Sequence, residues 1–240
     1  MHMKNQFLAT TSGLFLAMAL PAMSASFILT GGHMDSPAFG YVSEDEALSD
    51  PSLTQGIEPH MHNEGGADGA ILNGVREETE NEYEPDEVVI SVPVTSTTGF
   101  GPDTYYWLPE TEMDAAAQNA PYLGFGLEEL SIDEWMDVSI TLSGISGPGE
   151  VVLWQDGMVP DLFFDSVGDS RAFNAGSHTH LNWGFSELGL YSLEFTFVGT
   201  HFEDGVQRGA ATYFFVVPEP STAALGVIGM LGLLGRRRRC

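Results

Sequence analysis

The chain has 240 residues, with 43% hydrophobic and 11% aromatic side chains, 28 glycines, 13 prolines and a formal net charge of -26. All but one of its 34 acidic residues fall within residues 27–217, a stretch without lysine whose basic side chains are Arg76, Arg171 and Arg208. Such a field repels nucleic acid and anionic lipid, which excludes them as partners of the body, while it draws cations in.

The length suits one domain with a real core, and the glycines and prolines argue for a β-rich fold. The plain reading of the acidity is adaptation to a salty or extracellular setting. The lone cysteine is Cys240, the final residue, so no disulfide framework and no thiolate zinc site are available. Any bound metal must use nitrogen and oxygen ligands.

Residues 1–25 place Lys4 ahead of an apolar run over 7–20, followed by Pro21, Ala22, Met23, Ser24 and Ala25. This is the layout of a secretory signal peptide, with cleavage by signal peptidase expected within residues 22–26.

The body, residues 26–216, opens with an apolar strand over 27–30 that ends at Gly31 and Gly32 and exposes His33, Met34 and Asp35. Residues 36–72 lack periodicity and read as one long loop containing His60, Met61, His62, Asn63 and Glu64. Ordered loops of that length are uncommon unless functional, and a metal would tie this one down. The acidic run over 74–87 has neither the ligand spacing nor the glycine of a calcium loop, so it reads as solvated.

Residues 88–94 form a β-branched strand with Pro93 near its edge or end, and the aromatic segment over 100–109 is expected to pack. One or two helical turns follow over 114–119, then a turn over 131–135. Residues 138–142 and 151–154 read as a hairpin around the glycines of 144–149. Further strands are expected over 161–165, 190–197 and 210–217; in the second of these, Leu193, Phe195 and Phe197 alternate with Glu194 and Thr196. The pattern predicts an all-β fold, an Ig-like or jelly-roll β-sandwich carrying a long histidine-containing loop.

Residues 217–240 begin Val217, Pro218, Glu219, Pro220, continue with 15 residues rich in Ala, Leu, Gly and Ile, and close on Arg236, Arg237, Arg238, Arg239 and Cys240. Taken alone, this is a short apolar helix whose basic end stays in the cytoplasm, brief against the ~20 residues of a permanent span. The order of Pro-Glu-Pro, apolar helix and arginine cluster resembles the PEP-CTERM sorting signal of Gram-negative bacteria. That resemblance implies transient anchoring in the inner membrane, recognition by an exosortase, and release or attachment at the cell surface, with Cys240 leaving in the removed tail. A simple single-pass anchor is the competing reading.

Six histidines lie in the body: His33, His60, His62, His178, His180 and His201. His178 and His180 are two residues apart, so in an extended segment both rings leave one face within reach of one ion. A second His-X-His pair is formed by His60 and His62. The expected ligands are His178 and His180 with His33, closed by His60 or His62; Asp35, Glu64 and Asn182 are candidates to orient imidazole N–H groups. His201 reads by default as a lone surface histidine.

The segment His178-Thr179-His180-Leu181-Asn182-Trp183-Gly184-Phe185, with Gly189, Leu190, Tyr191 and Phe195 after it, is similar to the choice-of-anchor M domain of surface proteins. Gly32, His33, Met34 and Asp35 resemble that family's opening. His60 and His62 fit a subset with PEP-CTERM tails described as repressed by the zinc-uptake regulator. The resemblance implies zinc handling at the surface; copper also suits imidazole ligands.

Two other classes compete. A metal-dependent hydrolase or hydratase would keep one coordination position open for water. The glutamate that a cupin barrel places about four residues after its His-X-His is replaced here by Gly184 and Phe185, and nucleophile-elbow and phosphate-loop motifs are missing. A passive matrix or adhesion module needs no metal at all.

Overall fold

In residues 190–197 every second side chain is large and apolar, and such a strand folds only against a second apolar surface. The computed structural model describes residues 25–94, 97–100 and 103–218. The expected signal peptide up to residue 24, the motif residues Glu219 and Pro220, the apolar helix, and Arg236, Arg237, Arg238 and Arg239 lie outside the described residues.

The chain runs β1 (Phe27–Val42), α1 (Glu44–Ser49), β2 (Gly56–Asn63), β3 (Ile71–Leu72), β4 (Val75–Arg76), β5 (Asn81–Tyr83) and β6 (Val88–Ser91). Next come β7 (Thr97–Phe100), β8 (Asp103–Leu108), α2 (Glu112–Gln118), β9 (Pro121–Gly126), β10 (Trp135–Ser146), β11 (Val151–Gln155) and β12 (Asp161–Phe164). It ends with β13 (Ser170–Ala172), β14 (His178–His180), β15 (Asn182–Phe185), β16 (Gly189–His201) and β17 (Gly205–Val217). The protein is an all-β sandwich.

The larger sheet follows the order β13-β10-β16-β17-β6-β1-β2-β5, with β3 and β9 also pairing with β1, β4 with β3, and β14 with β9. The smaller sheet is β12-β11-β15-β8-β7. Tyr191, Leu193, Phe195 and Phe197 of β16 are fully buried, and Trp183 and Phe185 of β15 meet them from the opposite sheet. Phe125 of β9 sits at the junction, stacked on Trp183 with centroids 5.5 Å apart and edge-on to Phe195 at 5.4 Å.

Three expectations change. Residues 36–72 are not one loop. β1 continues through Gly32, whose φ of 74° re-aims the strand without ending it, because glycine carries no Cβ to strike the Gly69 carbonyl. Ser43 then caps α1 in a reciprocal capping box with Glu46, and His60 and His62 lie on β2. Pairing of β2 with β1 and β5 supplies the order expected from a metal.

The segments around the glycines of 144–149 do not form a hairpin. Both edges of β10 are taken, by β16 and β13, so the chain crosses to the other sheet, where β11 pairs with β12 and β15. The aromatic segment packs as expected, with Tyr105 of β8 buried beside Val152 and Trp154 and with Phe100 and Trp107 against them. The helical turns start earlier than expected, at Glu112, behind the N-cap Thr111.

One polar face of the larger sheet is built around β1. This strand runs parallel to β9 and antiparallel to β2, and both registers slip by one residue between Asp35 and Ala38. Three steps on β1 thus match two on each neighbour, which returns Asp35 and Ala38 to the same face. Two rows of facing residues result across β2, β1, β9 and β14: His62, Asp35, Gly124 and His180 in one, His60, Ala38, Gly126 and His178 in the other. Met34, Met61, Leu123 and Phe125 face the opposite way, into the core.

Candidate metal centre

Period-2 geometry puts His33 and Asp35 of β1 and His178 and His180 of β14 on that polar face, with β9 between them. β9 contributes Gly124 at the centre. A Cβ built there would fall on His178 Nε2 and Asp35 Oδ1, so the missing side chain is the space in which imidazole and carboxylate meet.

One ligand atom from each of His33, His178 and His180 lies within 4.8 Å of the others. Asp35 Oδ1 stands 2.6 Å from His178 Nε2 and 3.2 Å from His33 Nε2. Those approaches are close yet off the ring N–H directions: both Asp35 oxygens and both Nε2 atoms are buried without a directed hydrogen bond among the described residues. Four buried polar atoms converging without directed hydrogen bonds are costly unless a cation joins them, the His178 imidazolium in the metal-free protein or a bound ion in its place.

The opposite ring nitrogens face partners, close for His180 and His178 and looser for His33. His180 Nδ1–H donates to the Leu123 carbonyl at 2.9 Å, His178 Nδ1 lies 2.5 Å from Glu128, and His33 Nδ1 lies 3.6 Å from Glu64. Holding Nδ1 in this way aims Nε2 inward, the arrangement by which outer partners orient metal-bound imidazoles. Tyr122 stacks on His180 with ring centroids 3.8 Å apart and fixes its plane.

Electrostatics fits the same picture. Burial alone would raise the Asp35 carboxyl, but the imidazoles of His178 and His33 outweigh it and hold it well below the usual carboxylate range. Burial pulls His180 down to about 4, helped by the charge on His178. Burial also works against protonating His178, yet Asp35 and Glu128 overcome it and push the ring up to about 10. Near neutral pH, Asp35 is an anion, His180 offers a free lone pair, and His178 is an imidazolium.

The other expected residues lie elsewhere. Nδ1–H of His60 donates to the Glu58 carbonyl at 3.0 Å, and its Nε2 sits 3.1 Å from Glu129. His62 Nε2 is 3.2 Å from Glu80. Asn182 is buried with Oδ1 accepting from the Glu110 N–H rather than from an imidazole. His201 is buried, 2.9 Å from Asp204 and packed between Tyr41 and Trp135. Gly124, Tyr122 and Glu128 are the participants that sequence reasoning missed. Their visible signal is Gly124-Phe125-Gly126 followed by Leu127-Glu128-Glu129-Leu130, small against large and then acidic between leucines.

At the far end, Val216 and Val217 close β17 and Pro218 comes next. The segment they open matches a known family. Residues 216–239 are a PEP-CTERM protein-sorting motif. The PEP-CTERM motif marks an exported protein that is anchored in the membrane transiently and processed by an exosortase in Gram-negative bacteria. Among the described residues no helix is long and apolar enough to cross a membrane. Searches of curated proteins and of solved structures give no match.

Proposed function

We propose that this exported protein binds a divalent transition metal, zinc in the first instance, through His33, His178, His180 and Asp35. The observation that carries the reading is the set of buried, inward-facing Nε2 and Oδ atoms without directed hydrogen bonds, gathered over Gly124. Three neutral imidazoles and one carboxylate complete a tetrahedral set at the ~2.0 to 2.2 Å bond lengths of zinc. A set already closed by four protein ligands favours holding or carrying the ion over hydrolysis, which needs an open position for water. The resemblance of residues 178–185 to choice-of-anchor M domains supports zinc over copper.

In this role the sorting motif delivers a metal-holding domain to the cell surface or beyond, and exosortase removes the tail. The test is metal analysis of the full chain purified without a histidine tag, alongside Asp35→Asn and His178→Gln. The wild type should retain zinc through dialysis. With zinc at 100 times its Kd the gain is about 2.7 kcal/mol, a rise in Tm of about 5 to 10 °C for a domain of this size. Both variants should lose the ion and the rise. Zinc-free wild type whose melting is indifferent to added zinc would defeat the reading.

A further inference from the structure

The second His-X-His pair sits on the same polar face, and there too an imidazole and a carboxylate meet over a glycine. We propose that His60, Glu82 and Glu129 form a second, separate divalent-cation site, harder in character and weaker than the first. It rests on residues that the first site does not use.

His60 is 5% exposed, its Nδ1–H is committed to the Glu58 carbonyl and its Nε2 is hydrogen bonded to Glu129, so Nε2 is the nitrogen that would exchange that bond for an ion. Glu129 Oε1 already stands 3.1 Å from it, and Glu82 brings a second carboxylate, all three ligand atoms lying within 4.8 Å of one another. An ion at about 2.0 to 2.2 Å from each ligand needs them roughly 3.4 Å apart. The exposed Glu82 chain and the half-exposed Glu129 chain have the freedom to close that gap.

Gly40 of β1 makes the room. A Cβ there would stand 2.5 Å from Glu129 Oε2 and 3.6 Å from His60 Cε1. Here, as at Gly124, a glycine on a middle strand clears the ground beneath an imidazole and a carboxylate. The two sites share one turn, for Glu128 reaches His178 while its neighbour Glu129 reaches His60. With strands ~4.8 Å apart, the three steps from β2 to β14 separate the histidine pairs by roughly 14 Å. That spacing is too long for one ion and short enough for one turn to serve two.

One imidazole with two carboxylates is a set that suits manganese as well as zinc, whereas three imidazoles and a carboxylate favour zinc. The experiment titrates the metal-stripped full chain with Mn(II), reading free ion by its electron paramagnetic resonance signal, and with Zn(II), reading ions bound per chain. Two zinc ions per chain are expected, and one manganese. Glu129→Gln and Glu82→Gln, both at accessible side chains, should each weaken manganese binding by more than about tenfold and leave one zinc in place. Asp35→Asn should leave manganese binding unchanged. No manganese bound at millimolar concentration, or binding indifferent to both glutamate variants, would overturn the second site. A single zinc per chain in wild type that disappears in Glu129→Gln, with manganese binding also sensitive to that variant, would instead remove the first site and keep the second.

Discussion

Gly124 bears no side chain, and the centre depends on that. Gly124→Ala changes no ligand and no charge, and the glycine φ is not in the left-handed region, so the backbone accepts alanine. The new methyl would occupy the place of His178 Nε2 and Asp35 Oδ1. Zinc affinity should fall by about tenfold or more, with an overpacking cost of about 1 to 3 kcal/mol in the metal-free protein. Calorimetric titration and a urea melt read the two effects separately.

His178 sets the response to pH. Its ring titrates at about 10 in the metal-free fold against 6.5 unfolded, so it must surrender a proton to become a ligand. Zinc binding between about pH 7 and 9 should therefore release about one proton and strengthen about tenfold per pH unit. Calorimetry in two buffers of different ionisation enthalpy measures the release. In the metal-free protein the sign is reversed. A raised folded value contributes stability that is fully present below pH 6.5 and lost as pH climbs through about 10. Denaturant melts with and without zinc should thus diverge with increasing pH.

At the scale of elements, what could be read in the sequence was what had period. β16 shows its alternation directly, β17 shows an unbroken apolar run over 213–217, and His178-Thr179-His180 announces two rings on one face once it is taken as extended. β9 hides, because glycines at 124 and 126 lower strand propensity even though they are what the site requires. The grouping of His33 with His178 and His180 comes from the middle of β1 and from β14, one on each side of β9. The destination of His60 and His62 depended instead on the slip in β1 register between Asp35 and Ala38, a tertiary fact with no local signature. Asp35 stands closer to His33 and His178 than its expected orienting role required.

β9 also binds the fold to the site, since Phe125 shares a strand with Gly124 and faces the other way. Its ring contacts Phe164, Phe173, Trp183 and Phe195. Phe125→Ala should cost about 3 to 5 kcal/mol in a urea melt. Zinc should restore part of that loss, because the ligands hold β14 and β1 on either side of the weakened strand.

Over the whole molecule, a formal net charge of -26 works against compactness. Carboxylates such as Glu78, Glu80 and Glu82 are exposed with few cationic neighbours, so raising salt from about 10 to 150 mM, where the screening length falls to about 8 Å, should raise Tm by a few degrees in thermal melts. Potassium chloride and sodium chloride should act alike if screening is the cause.

The final strand has one more effect. Val217 is fully buried and pairs with Gly189, yet it also lies inside the segment recognised for sorting. Fold and address label thus share Val216 and Val217. A substitution at Val217 therefore acts on both at once, loosening a strand paired on each side by β16 and β6 and altering the segment that is read for sorting.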